Sequence, residues 1–584
     1  MDIVTLAIAL QAKKLAQAVG YGPAGTYATL AALESADPDH NYIYVVTADG
    51  NWYYYNAETP AWTAGGLFID SSGYDALDLA KEDKSNKKTD LTDDSDTFYP
   101  TQKAVNTALA LKSDVTTVTA LTTRVDSLER DVQPVGVLFE GMPSVVTGER
   151  TLGAQTSTLR VNAGSMNTEA YPETDIRFQH PFSEIRTAKI DATGAVVAWI
   201  DEPDFLTAPG IIMTRLSKTY VYDTANIYDI RFSKAPRVGY SIDPLFWDEV
   251  NGVELDYIWI GSDKSSKMDG ENKLTCALLK AYYTDVRMDT VLRPYSEAIG
   301  DGWSQADIAL RDYLGKLMLV AGNSHDSQTV FGRGVCDLRY DASDVVTVET
   351  VTANYVVVSD ATGALYNVGE WVNLGTAVGN TAKFAQRKIT LKEADYDGLG
   401  NTRITVDGAT FTSSATNVLW HAPQLVSEED FVAMGNECGY IGTNGRVPVS
   451  FFGIWNLWGN IWEWCDGIFH VDLVPYYTYD DSKYSLIGAS QPDLGQFTQH
   501  PTTMPATSGY CGQFAGSPAV PSTLTGGSDS AGMCDYFYTS TGYNALRVGS
   551  GLGSGSPVGF FAWAVNNAPS FASWTVGSRL KKRP

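Results

Sequence analysis

Three stretches of this chain carry apolar residues at helical spacing, and most of the remainder alternates with period two. In residues 1–36, Leu6, Ala9, Leu10, Leu15 and Val19 fall near one helical face before Gly20 and Gly22 stop the run. The pattern then changes: Tyr42-Ile43-Tyr44-Val45-Val46 and Trp52-Tyr53-Tyr54-Tyr55 flank Asp49-Gly50-Asn51, and an Asp-Gly turn between two such runs predicts a hairpin within 41–69. Residues 1–70 are therefore expected to form a small N-terminal module, and the acidic, polar residues 71–99 a linker. The second helical stretch, 100–133, places Leu111, Val118, Leu121, Val125 and Leu128 on a and d positions of a heptad, with Asp114 the polar exception. An oligomerising coiled coil is expected there, because polar linker and Pro134 flank it; a single amphipathic helix packed on its own domain is the alternative.

From 134 to 584 the pattern is continuously globular. Strands are predicted at Val135–Phe139, Ala195–Ile200 and Tyr257–Gly261. The third helix, Ala306–Val320, is apolar at 310, 313, 314, 317 and 318. Short alternating runs such as Tyr355–Val358 and Ile404–Val406, punctuated by glycine, predict a β-rich elaboration over 345–415. No internal repeat is evident.

Composition narrows the function classes. The 584 residues hold 42 Lys+Arg against 68 Asp+Glu, a net charge of -26, which argues against a general nucleic-acid binder. The low charged content (19%) and the 53 glycines, 14 tryptophans and 32 tyrosines favour β-rich or loop-rich surfaces over long solvated helices. Charge is scarcest near the end: between Lys483 and Arg579 the only charged residues are Asp493, Asp529, Asp535 and Arg547. Aromatic and small polar side chains dominate that segment, the composition of an adaptable recognition surface. No apolar stretch reaches the roughly 20 residues of a membrane span. The N-terminus places Lys13-Lys14 after its apolar run, the reverse of a secretory signal.

Candidate chemistry is sparse. The histidines at 40, 180, 325, 421, 470 and 500 are dispersed, and the six cysteines form no Cys-x-x-Cys pair. Cys511 and Cys534 are the two that folding could bring together. Gln491-Pro492-Asp493 matches a sugar-binding calcium tripeptide without its usual companion, and Asp263, Asp269 and Glu271 read as a charged surface loop. No metal and no cofactor is expected.

The most specific segment is Gly459-Asn460-Ile461-Trp462-Glu463-Trp464-Cys465-Asp466, in which a strand would put Trp462 and Trp464 on one face and Glu463 on the other. It resembles the signature of the formylglycine-generating and sulfatase-modifying family, a variant of the C-type lectin fold. The segments Ala545–Gly551, Gly559–Trp563 and Ala568–Leu580 resemble more closely the variable region of retroelement-diversified proteins, the phage tropism determinants among them. Asp90–Asp93 with Tyr99–Val105, and the hairpin Gly50–Tyr55, resemble elements of phage tail fibres.

These resemblances imply an α+β fold with a C-terminal C-type lectin-like domain over 134–584 and a variable region at 540–580. They imply a non-enzymatic receptor-binding protein of the virion tail fibre. It would be a homotrimer, meeting a host cell-surface protein or glycan at one end and other tail or baseplate proteins through its N-terminal region. The outward-facing ligand contacts would come from Tyr543, Ala545, Arg547, Leu552, Ser554, Ser556, Phe561, Ala562, Ala564, Phe571, Ser573 and Trp574. The fixed framework would be Asn460, Trp462, Glu463, Trp464, Gly549, Gly559, Trp563, Gly577, Arg579 and Leu580. A formylglycine-type or other enzyme, or a structural tail or surface protein with a fixed site, are the alternatives. The enzyme reading is disfavoured because the final fifty residues contain no cysteine.

Overall fold

Short period-two runs between glycine turns make sheets, and sheets are what the chain builds. The computed structural model describes residues 25–36, 44–56, 61–67, 134–139, 149–152, 158–164, 175–223, 229–348 and 350–584. The expected linker at 71–99 and coiled coil at 100–133 lie outside the described residues, as does most of the first helical stretch. Two compact units are present, one within Met1–Leu128 and one within Glu129–Pro584.

In the first unit the hairpin forms at the Asp-Gly turn. Tyr44–Val46 pairs antiparallel with Asn51–Asn56, Gly50 takes the left-handed conformation (φ 70°), and the Asp49 carboxylate accepts from the Asn51 amide at 3.0 Å and the Tyr53 hydroxyl at 2.6 Å. Gly25–Tyr27 and Ala61–Leu67 complete a four-stranded sheet, and Leu33, Tyr44, Val46, Tyr53 and Trp62 form its core.

Two larger sheets organise the second unit. A six-stranded antiparallel sheet runs in the order Trp303–Gln305, Leu580–Lys582, Tyr257–Gly261, Ile211–Ser217, Arg186–Ile190, Val196–Trp199, so the Leu580–Lys582 strand is interior. An eight-stranded sheet is centred on Trp462–Val471, which pairs with Tyr543–Val548 on one side and Val474–Tyr477 on the other. The helix Ile308–Gly322 packs against it. Asp307 caps that helix through the Leu310 amide at 2.9 Å, and Asn323 ends it in the left-handed conformation. The helix is buried nearly all round, and even Lys316 lies inside, held by Asp223, Asp243 and Asp312 at 2.9–3.0 Å. A separate five-stranded antiparallel sheet, Tyr355–Ser359 to Val418–His421, has its own core around Val356, Val358, Leu374, Ile404 and Leu419.

The expected α+β, C-type lectin-like class is corrected by this architecture. Among the described residues 38% are strand and 15% helix, spread over many small, mostly antiparallel sheets. Strands were underweighted because each short alternating run between turns adds another one. A second correction concerns Asp263. Only Asp269 and Glu271 are at the surface, ion-paired with Lys280 and Lys273, while Asp263 is 7% exposed and accepts from Asn456, Tyr282 and the Lys264 amide.

Both large sheets meet at one buried ion cluster. Glu463 accepts from Lys264 at 2.7 Å and from two nitrogens of Arg579 at 2.7 and 3.1 Å. Arg579 spends its remaining donors on the carbonyls of Gly261, Trp455 and Asn456. Burial alone would raise the Glu463 carboxyl, but Arg579 and Lys264 outweigh it and hold it down to about 2. Replacing Glu463 with Gln strands two buried cations. The expected cost is about 3–5 kcal/mol, read as a lower urea midpoint.

His470 provides a second test. It is fully buried on the Trp462–Val471 strand with neither ring nitrogen hydrogen-bonded, and burial, with His500 adding to it, pulls its pKa down to about 3. The unfolded chain therefore takes up a proton near its ordinary value while the folded chain does not. Stability contributed by the neutral ring is complete above about pH 6.5 and falls by about 1.4 kcal/mol per unit as pH drops towards 3. Urea melts across that range should show this slope weakened in His470→Gln.

Candidate functional site

Alternation along Trp462-Glu463-Trp464 separates two jobs. Glu463 turns into the ion cluster, whereas Trp462 and Trp464 share the opposite face, where the Arg547 guanidinium lies 5.3 and 5.7 Å from their ring centres. Pairing sets this row: Trp464 is opposite Arg547, Arg547 opposite Ala564, and Ala564 opposite Tyr538. Phe571 covers the guanidinium from another side at 5.2 Å.

Tyr536-Phe537-Tyr538 repeats the same logic one strand further out. Phe537 is fully buried, and Tyr536 and Tyr538 stand half-exposed beside each other, ring centres 4.7 Å apart. Tyr510 meets Tyr536 edge-on at 5.2 Å, and Trp462 meets Tyr538 at 5.9 Å. Burial raises the Tyr538 phenol, and the neighbouring Tyr536, Tyr510 and Tyr340 phenols raise it further. Tyr340, 43% exposed, packs edge-on to Trp574 at 5.5 Å. The glycine-rich turn links the two halves. A side chain at Gly551 would touch Trp462, and one at Gly553 would run into Tyr340. The result is a continuous aromatic face with Ser554, Ser556, Asn566 and Asn567 around it.

The twelve expected contacts divide on this geometry. Phe571 and Trp574 belong to the face, as do the half-buried Ser554 and Ser573 and the exposed Ser556; Arg547, expected to face outward, is instead buried beneath the rings. Ala545, Leu552, Phe561, Ala562 and Ala564 are buried and do not face outward. Phe561 points at the helix, its ring against Gly315 and Phe560, and Leu552 packs on Val335 and Leu338. Tyr543 turns away to bond the Gly488 carbonyl at 3.0 Å. Position between glycines does not mean exposure, because the turn folds back onto the helix.

Most framework residues are interior. Asn460 bonds both the amide and the carbonyl of Gln424, at 2.8 and 2.7 Å. Gly549 is left-handed (φ 84°), and a Cβ there would approach the Leu457 carbonyl to 2.8 Å. Gly559 lies against the Asp535 carboxylate, Gly577 against Ile461, and Trp563 and Leu580 lie in the core. Trp462 is the exception, since it is half-exposed and part of the face. Sequence reasoning missed Tyr340, Tyr510, Tyr536 and Tyr538. For the last two a signal existed, the Tyr-Phe-Tyr alternation; Tyr340 is far away in sequence and nothing local marks it.

Other candidates carry less. A concavity of about 300 Å³ beside the five-stranded sheet is lined by Glu370, Trp371, Gln424 and Arg446. Glu370 is already committed: burial would raise it, but bonds from His421 at 3.0 Å and Arg446 at 2.6 Å bring it down to about 2. All six cysteines are free and buried, so Cys511 and Cys534 are not a disulfide; burial pushes the thiols of both up. Asp493 caps a single turn through the Gly495 amide. No helix among the described residues is long and apolar enough to cross a membrane. Comparison with protein-family models finds no match for the chain, and comparison with curated proteins finds none either.

The division between face and core is directly measurable. Phe561→Ala should cost about 3–5 kcal/mol in chemical denaturation, as an emptied core position. Tyr340→Ala, at the exposed edge of the face, should stay within about 0.5 kcal/mol of wild type.

Proposed function

We propose that this chain is a receptor-binding, host-attachment protein of a phage tail fibre, which holds its target on the Tyr538–Arg547–Trp574 face. One observation carries the reading. Half-exposed rings from 340, 462, 510, 536, 538, 571 and 574 gather on one continuous surface. Rings of this kind offer large contact area at small conformational cost, and the serines and asparagines around them adapt to different polar partners. The framework beneath is tied by buried ions and by glycines that admit no side chain, so substitutions on the face leave the backbone in place.

The C-terminal resemblance to retroelement-diversified proteins supports the same reading, with the host target a surface protein or glycan. The fibre elements resembled by residues 50–55 and 90–105 support a homotrimer in the virion, joined to tail or baseplate proteins through the N-terminal region. Three copies of a modest site give high avidity on a repetitive cell surface. The buried, raised thiols give no support to a cysteine-based enzyme.

The test is adsorption of the labelled full-length chain to a panel of whole bacterial cells. Changing Tyr340, Tyr538 and Trp574 together to Ala should lower adsorption at least about a hundredfold, since loss of a single dominant ring at roughly 2 kcal/mol is already worth about thirtyfold, with circular dichroism unchanged. Undiminished adsorption by the folded triple variant refutes the site. Absence of adsorption by wild type to any cell refutes the function.

A further inference from the structure

The buried cations of this acidic chain answer to carboxylates, by direct contact or, as at Lys189 and Lys582, at longer range. Among the described residues, Lys264 and Arg579 share Glu463, Arg293 is bidentate to Asp466, Lys316 sits among three aspartates, and Lys581 meets Asp307. Arg311 makes no ion pair but feels Glu463 and Asp535. Arg547 has nothing comparable. It is 7% exposed, donates through Nη2 only to the side-chain oxygens of Asn566 and Asn567, and its buried Nε has no acceptor. Its pKa is lowered by burial to about 10, with no carboxylate acting against that. A desolvated guanidinium without a counter-charge is costly in a structural role, since an apolar side chain would fill the same space more cheaply.

Its position suggests what recovers the cost. Arg547 lies between Trp462, Trp464 and Phe571, in the row that leads to Tyr538, directly beneath the aromatic face. Guanidinium groups take carboxylates through parallel charge-assisted hydrogen bonds, and such bonds strengthen where water is excluded. A guanidinium flanked by three rings suits a small anionic group on a compact carrier. Ring faces interleaved with amide and hydroxyl groups complement a sugar, whose C–H faces stack while its hydroxyls bond in the plane. Asn566 is exposed and Asn567 half-exposed beside the guanidinium, in position to take those hydroxyls.

We infer that the face binds an acidic saccharide, with the carboxylate on Arg547 and the sugar rings against Trp462, Phe571 and Tyr538. The inference rests on the receptor-binding reading and gives its target a chemical class. A neutral glycan leaves the guanidinium unanswered, and a broad protein surface reaches it poorly.

The experiment uses the full chain on an array of uronate- and sialate-bearing oligosaccharides, each beside its carboxyl methyl ester, with neutral glycans, inorganic phosphate and a glutamate-rich peptide as further arms. Wild type should retain acidic glycans and lose about tenfold or more in affinity for the esters, the value of one charged hydrogen-bonded contact. Arg547→Gln should lose the same factor, and Arg547→Lys should recover part of it. The melting temperature of Arg547→Gln should equal or exceed that of wild type, because a lone buried charge has been removed; a structural arginine would show a fall. Acid and ester bound equally, retention of neutral glycans only, preference for phosphate or the peptide, or no retention at all overturns the inference. The ester comparison on wild type decides even if the variant misfolds. Cell adsorption that persists in a folded Arg547→Gln leaves the receptor reading standing while the acidic-saccharide inference falls; loss of adsorption by wild type itself removes both.

Discussion

The contact between Glu463 and Arg579 makes the second unit one object. Arg579 belongs to the approach of an interior strand of the six-stranded sheet, and Glu463 to the central strand of the eight-stranded one. Lys264 joins them from the loop that follows the Tyr257–Gly261 strand. A carboxylate shared by two cations in a dry interior demands close geometry, because misplacement leaves charge without an answer. Everything on the outer face inherits that precision. Trp462 and Trp464, either side of Glu463, are aimed away from the ion cluster by the same pleat that aims the carboxylate in, Trp462 reaching the surface and Trp464 staying in the core beneath it.

Placement of charge also explains how an acidic protein keeps a charge-poor surface at its far end. Between Lys483 and Arg579 there is one cation, and it is neither at the rim nor neutralised. Other buried ions, such as Glu370 and Asp466, are structural and paired. Local composition and global charge therefore report different things: the first describes the face, the second the body that carries it.

How much of this could be read from residues alone follows from the range of the interactions. The Asp49-Gly50 hairpin, the alternation at 462–464 and the capped helix at 308 depend on neighbours a few positions apart, and each was legible. Fold class was not, because short strands count for little in a pattern and assemble through pairings hundreds of residues apart, such as Trp259 with Lys582. The face was half legible. Arg547, Phe571 and Trp574 lie in the segment whose composition singled it out, but Tyr340 arrives from a distant loop. Phe561, as aromatic as Phe571 and closer to the glycines, is inside because the turn brings it onto Gly315. Local sequence does not encode which way a glycine-rich turn will fold.

The interior position of Leu580–Lys582 has a consequence for synthesis. The ribosome makes these residues only after the whole 536–574 segment has left it, and until they pair with Trp303–Gln305 and Tyr257–Gly261 a sheet of the body stays open. A reading-frame error anywhere in the face-coding stretch replaces this strand as well, together with Arg579. Frame-shifted copies thus fail to close their core, whereas copies that differ only by substitution still reach the lock downstream. Closure of the core thus tests the reading frame of the aromatic face without testing which side chains it carries.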